Sequence, residues 1–482
     1  MDSGRWQTPS AQGPVRARLR LPGSKSITNR ALVLAALSDS PSVVRGPLKA
    51  RDTTLAIAAL RALGCVIDSH ETIDDHGDYL AISPGQPSAG GVSVDVGNAG
   101  TVMRFLPAVA ALTAAAVSFD GDPRARERPI GALLAALRSL GAAIDDGGRG
   151  ALPFTIHGSG AVPGGTVTLD ASGSSQLVSG LLLAAPRFDE GVQVRHEGPP
   201  VPSVPHLEMT ARMLRQAGAE VEVGYAASSQ APHAPATGVP GTAEPRPNVW
   251  RVRPGPLNLG DFRVEPDLSN AGPFLAAALV TGGSVTIADW PGSSDPGGGA
   301  HGVPSEPFED GTPCSLQAAD AIIEVFTRMG ASCSLGADGL TISGTGTIHG
   351  IQADLRDIPE LCLPLTSVAA LASGPSEFTG VGHTRAQETD RLAAIAKEIN
   401  ALGGDITESP DGLRVRPRPL HAAAGHGWDS YDDHRMVMAA AVLGLATPGI
   451  EVLNVATVGK TFPNFTALWA ELLGHPSPEP AP

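Results

Sequence analysis

Eight short runs put cations, hydroxyls or carboxylates at or near what read as the mouths of apolar helices. In LPGSKSITNRALVLAALSDS, Leu21 to Ser40, Lys25, Ser26 and Arg30 stand at the entrance of an alanine-rich helix. Free N–H groups and the positive end of the helix dipole favour an anion there. The side chains add charge-assisted hydrogen bonds. The spacing does not fit G-x-x-x-x-G-K-[ST], so a nucleotide is not the anion indicated. In DVGNAGTVMRFLPAVAAL, a tight turn at Asn98–Thr101 feeds a helix carrying Arg104, and Gly100 lets backbone come close to a ligand. GDPRARERPIGALLAAL packs Arg124, Arg126 and Arg128 together, and arginine grips carboxylate or phosphate with a planar fork. ASGSSQLVSGLLLAAP offers Ser174, Ser175 and Gln176 before another helix.

The second half carries the carboxylates. In HTRAQETDRLAAIAKEI, Glu388 and Arg391 are three apart and neighbours on a helix, a candidate acid–base site. DIPELCLPL places Glu360 beside an apolar run, where burial can raise its pKa. SYDDHRMVMAAAVLGLA sets Asp433, His434 and Arg435 at a helix mouth, and GKTFPNF sets Lys460 in a loop. Each run alone also reads as an N-cap, a surface ion pair or a plain strand–turn–helix connection. Their recurrence in both halves points to a cleft for polyanionic small molecules.

That cleft belongs to an acidic chain of 482 residues with net charge -15, which excludes nucleic acid or an anionic membrane as main partner. Only four basic residues are lysines: Lys25, Lys49, Lys397 and Lys460. No run approaches the ~18 apolar residues of a membrane span. The N-terminus lacks the apolar segment of a secretory signal. Cys65, Cys314, Cys333 and Cys362 are scattered, with no C-x-x-C pair, as expected of free thiols in a reducing cytoplasm.

The elements that must position these residues repeat. Helical patterns end at Gly64, Gly141, Gly218, Gly330, Gly403 and Gly474, each where a helix C-terminus wants a left-handed residue. The first five lead into strand-like runs, and the intervals are 77, 77, 112, 73 and 71 residues. Six repeats of roughly 75 residues follow. The long interval holds two Pro/Gly/Ser-rich tracts, 226–248 and 291–313, read as mobile surface insertions. The sixth repeat lacks a strand after Gly474, and the alternating run Val15–Leu21 is expected to supply it. The domains expected are 22–258, with three repeats, and 1–21 plus 259–482, with three more.

PGSKSITNRALVLAAL, GNAGTVMRF, RERPIGALLAAL, SSQLVSGLLLAAP, ETDRL, DHRMVMAAA and GKTFPNF, in this order, resemble the 5-enolpyruvylshikimate-3-phosphate synthases over nearly the whole chain. The resemblance implies a two-domain inside-out α/β barrel of six βαβαββ repeats, three per domain. It implies transfer of the enolpyruvyl group of phosphoenolpyruvate to the 5-hydroxyl of shikimate 3-phosphate, with no metal or organic cofactor, in a monomer. Carried over by position, shikimate 3-phosphate meets Lys25, Ser26, Arg30, Ser174, Ser175, Gln176, Ser203, Glu360 and Gln387. Phosphoenolpyruvate meets Lys25, Gly100, Arg128, Gln176, Arg391, Arg435 and Lys460. Lys25, Glu360 and Glu388 are the catalytic candidates, Glu360 as proton acceptor and Glu388 for proton transfer at the methylene carbon.

Three positions depart from the family pattern: Gln387 stands where lysine is usual, His383 where asparagine is common, and His206 where tyrosine is common. Gln387 carries no charge, so weaker ligand binding is expected. Gly100 leaves room for the inhibitor glyphosate, so sensitivity is expected. The rival readings are UDP-N-acetylglucosamine enolpyruvyl transferase, which generally uses a loop cysteine where this chain's first half has only Cys65, and a non-catalytic anion-binding homologue.

Overall fold

The computed structural model describes residues 4–71, 78–85, 91–225, 246–292, 315–423 and 427–474. Apart from 246–248 and 291–292, the two expected insertions lie outside the described residues. The six helix-ending glycines all have positive φ, from 73° at Gly474 to 104° at Gly330. Each lies two residues beyond its helix's last residue and turns the chain, five times into a strand that starts within three residues, such as Val66–His70 or Asp405–Ser409.

The strands form six small sheets, five of four strands and one of three. In each four-stranded sheet a parallel pair is extended by an antiparallel hairpin; Gly165–Leu169, for instance, runs parallel to Val192–His196 beside Val249–Val252 and Val221–Gly224. Alternation decides which face is buried: along Val192–His196 every second residue, Val192, Val194 and His196, faces inward.

Two of the sheets borrow their first strand from across the molecule. Arg16–Leu19 runs parallel to Ser284–Ile287, and Asp261–Arg263 runs parallel to Ser42–Arg45. The N-terminal run therefore opens the fourth repeat and does not complete the sixth. The sixth is completed by Arg5–Gln7, antiparallel to Glu451–Leu453. The second crossing also falls later than 258/259, because Asp261–Arg263 pairs within the first half and Val264 packs in its core. The two crossing segments bind each other: Ser24 N donates to Glu265 O at 2.8 Å, and Asp267 N donates to Pro22 O at 2.9 Å.

Two hydrophobic cores match this exchange. One draws on residues 27–264 together with Leu316; the other draws on 15–21 and 268–472. At their centres lie helices apolar on nearly every side: Lys25–Ala36, Gly100–Ala111 and Gln176–Ala184 in the first, Leu268–Thr281, Cys362–Ala370 and His434–Gly444 in the second. All twelve residues of Gly100–Ala111 are buried. A helix apolar all round belongs inside, so each half wraps its sheets and outer helices around an inner group of helices.

Candidate active site

The N-terminal ends of the six inner helices meet at one cleft of about 970 Å³ between the halves. Its lining includes Lys25 and Ser26, Gly100 and Arg104, Ser174 to Gln176, Asp267, Ser269 and Asn270, Glu360, and His434 with Arg435. Helix N-termini carry unpaired N–H groups and the positive dipole end, so the fold itself makes this space favourable to anions.

Of the residues expected from sequence, Lys25, Ser26, Gly100, Arg128, Ser174, Ser175, Gln176, Ser203, Glu360, Gln387, Glu388, Arg391 and Arg435 line the cleft. Arg30 does not. It is 1% exposed and gives its donors to protein: Nε to Thr210 Oγ1 at 2.8 Å, NH1 to Ser26 O at 3.0 Å, NH2 to His206 O at 3.1 Å. It also lies over the Phe105 ring, 5.1 Å from its centroid. Lys460 stands behind Glu388, its Nζ donating to Glu388 Oε1 at 3.2 Å.

Several residues of the site were not singled out from sequence. Asp267 caps Leu268–Thr281 by accepting from Asn270 N, and its other oxygen accepts from Lys25 N at 3.1 Å. It thereby joins the first residue of one inner helix to the cap of another across the crossing. Asp-Leu-Ser-Asn before an apolar run is a capping signal that could have marked it. Asp52 accepts from Lys25 Nζ at 3.3 Å and is 1% exposed. Asn98 holds Arg128 NH1 through its carbonyl at 2.7 Å and its side-chain oxygen at 3.0 Å. Ser269 Oγ accepts from Arg435 NH2 at 3.1 Å, and Glu360 O accepts from NH1 at 2.9 Å.

The charges are tightly organised. Asp433 takes Arg391 Nε at 2.7 Å and NH2 at 3.3 Å. Arg391 NH2 then reaches Glu388 Oε2 at 2.9 Å, and NH1 donates to Gln387 Oε1. Burial alone would raise the Glu388 carboxyl, but Lys460, Arg391, Arg128 and Lys25 hold it well below the usual carboxylate range. Burial likewise works against an ionised Glu360, and His206 and Arg435 outweigh it. Arg104 runs the other way: burial, with Arg128 nearby, lowers its guanidinium to about 9. Arg128 and Arg435 are also lowered by burial. A desolvated cation short of counter-charge gains when an anion arrives.

Buried polar atoms without a protein partner gather here: Asp52 Oδ1, Arg104 Nε, Arg128 Nε, Asn270 Oδ1 and Thr461 Oγ1. Among the described residues no group of three or more His, Cys, Asp or Glu could hold a metal ion. No described helix is long and apolar enough to cross a membrane. Cys65 is 7% exposed and packs in the first core, away from the cleft.

Comparison with known proteins agrees with this geometry. The model of the EPSP synthase (3-phosphoshikimate 1-carboxyvinyltransferase) family matches residues 9–239, 234–300 and 309–469. The chain is 45% identical over 474 residues to the 3-phosphoshikimate 1-carboxyvinyltransferase of Kocuria rhizophila, covering 97% of this chain and 96% of that one. Two structures of EPSP synthase from Acinetobacter baumannii share the fold, with TM-scores of 0.71 and 0.70 at 24% and 23% identity. Each pairing covers 97% of this chain and 98% of the other. With six inner helices opening on one cation-lined cleft, and with these matches over its length, the chain belongs to the EPSP synthase (3-phosphoshikimate 1-carboxyvinyltransferase) family.

Proposed function

We propose that this chain joins the 5-hydroxyl of shikimate 3-phosphate to C2 of phosphoenolpyruvate and releases inorganic phosphate. The observation that carries the reading is the pair of carboxylates in one cleft, Glu388 all but excluded from solvent and Glu360 partly exposed, each beside a separate set of cations.

Glu360 serves the acceptor. Ionised in the folded protein, it takes the proton of the attacking hydroxyl. Ser26, Ser174, Ser175, Gln176 and Ser203 surround the shikimate phosphate with hydroxyl and amide groups, and Lys25 supplies charge. Arg30 acts from behind, holding Ser26 and His206 by their carbonyls. The neutral Gln387 sits at the edge of this subsite.

Glu388 serves the donor. Phosphoenolpyruvate brings negative charge to Arg128, Arg391, Arg435 and Lys460. That charge offsets the cations holding Glu388 down, so its proton affinity rises on binding. The carboxyl then delivers a proton to C3 as the oxygen–C2 bond forms. In the second step C3 returns the proton to Glu388, the C2–O bond to phosphate breaks, the departing phosphate takes the proton held on Glu360, and the enol ether remains. Cations fixed before reaction stabilise the leaving phosphate without reorganisation.

The test is phosphate release from the purified, folded chain with both substrates. Release that requires both supports the reading. No release, or release with UDP-N-acetylglucosamine as acceptor, overturns it.

A further inference from the structure

We propose that Arg246 is a positioning residue for Glu360, acting through Asp357 as a clasp that holds the carboxylate's turn against the opposite half. The proposal rests on the reading of Glu360 as proton acceptor. Arg246 precedes strand Val249–Val252 of the first half, whereas Asp357 and Glu360 lie three residues apart on one turn of the second. Arg246 NH1 donates to Asp357 Oδ1 at 2.8 Å, and NH2 donates to Oδ2 at 2.7 Å. This is the two-pronged geometry that gives an arginine–carboxylate pair direction as well as attraction.

A second bond reinforces the first. Ser203 N donates across the cleft to Arg356 O at 2.8 Å. Ser203 is a non-glycine residue in the left-handed region, with φ 53°, a conformation that persists only where the surroundings hold it. The turn is also braced internally, with Asp354 accepting from Arg356 N at 3.0 Å and Nε at 2.7 Å. Ile358 N donates to Leu355 O and Leu361 N donates to Ile358 O, each at 3.0 Å, so consecutive backbone turns link Asp357 to Glu360.

Apolar packing does not do this alone. A pocket of about 450 Å³, open to solvent, lies between Pro205 and Met209 of the first half and Ile358 and Leu361 of the second. His206 Nε2 is 3.7 Å from Glu360 Oε1, beyond hydrogen-bond range. The polar clasp spans the gap where side-chain packing is incomplete.

The experiment is a double-mutant cycle on phosphate release, with thermal melts confirming folding. Arg246→Ala and Asp357→Asn are each expected to lower kcat about three- to tenfold, with the phosphoenolpyruvate KM within about twofold. In the Glu360→Gln background Arg246→Ala is expected to add nothing, because its effect passes through that carboxylate. Charge exchange, Arg246→Asp with Asp357→Arg, is expected to recover part of the loss. Losses that multiply with Glu360→Gln, or single variants indistinguishable from an active parent, overturn the clasp. Small-angle scattering of the ligand-free protein separates this failure from failure of the proposed reaction. Arg246→Ala is expected to enlarge the radius of gyration whatever the substrate, and an unchanged radius overturns the clasp.

Discussion

Lys460 Nζ and Glu388 Oε1 stand 3.2 Å apart, both all but excluded from solvent and 72 residues apart in sequence. Among the cations that lower the Glu388 carboxyl, Lys460 has the largest effect. Lys460→Met is therefore expected to raise the Glu388 pKa and, because Glu388 acts protonated in the proposed reaction, to move the alkaline limb of kcat/KM for phosphoenolpyruvate to higher pH. Loss of a donor-binding cation is also expected to raise that KM about tenfold. A pH–rate series checks both, and an alkaline limb that stays in place refutes the coupling.

Gly100 begins an inner helix and lines the cleft where the donor is proposed to bind. A Cβ there would lie 2.6 Å from Arg128 NH2, 2.8 Å from Arg104 NH1 and 3.1 Å from Gln176 Oε1. All three are ends of flexible side chains, so Gly100→Ala is expected to fold. The cost falls on the displaced guanidinium of Arg128. The expected result is a phosphoenolpyruvate KM raised about tenfold, with weaker glyphosate inhibition and a melting temperature within a few degrees of the parent. Steady-state kinetics with and without the inhibitor decide it.

Local features of this protein were legible in its sequence, and long-range ones were not. The six glycines that end helices could be read because a left-handed C-terminal residue is a property of one position. The helix mouths could be read because cap, dipole and side chain are neighbours in sequence. The strand exchange could not. Alternation in Arg16–Leu19 says which side chains face inward, and nothing about whether the partner is Ser284–Ile287 or the last repeat. The same limit hid the direction of Arg30. Four residues from Ser26 on one helix, it shares the right face, yet Thr210 and Ser179 draw its guanidinium into the core. Asp52 was missed because a lone aspartate in a charged segment has no signature until Lys25 is beside it.

Three histidines give stability a definite pH slope. Burial lowers the pKa of His206, His383 and His434 below 6.5, most strongly at His434. A histidine lowered in this way binds fewer protons folded than unfolded. Its contribution is intact above the unfolded value and is lost as pH falls toward the folded one. The depressed carboxylates Glu360 and Glu388 act in the same direction at lower pH, below their unfolded value of 4.5. Urea unfolding is expected to show stability falling from pH 7 to pH 5, by at most about 1.4 kcal/mol per pH unit for each histidine. His383→Asn is expected to flatten the slope. A flat parent profile would contradict the burial of these rings as neutral groups.

Gln387 is a neutral side chain among the charged groups of the cleft, and its surroundings show what a lysine would meet. Its Oε1 accepts from Arg391 NH1, and its carbonyl accepts from Arg124 Nε of the other half at 3.3 Å. A lysine could keep the backbone bond but could not accept from Arg391. Its ammonium would turn from that guanidinium into the cleft, toward the side where Ser174, Ser175 and Gln176 present their groups. Gln387→Lys is therefore expected to lower the shikimate 3-phosphate KM about three- to tenfold at low ionic strength, with kcat within about twofold. The gain is expected to shrink as salt screens the added charge. Michaelis constants for both substrates at two salt concentrations test this. If neither constant moves, charge at position 387 does not limit binding, and the neutral amide is fully adequate for the acceptor phosphate.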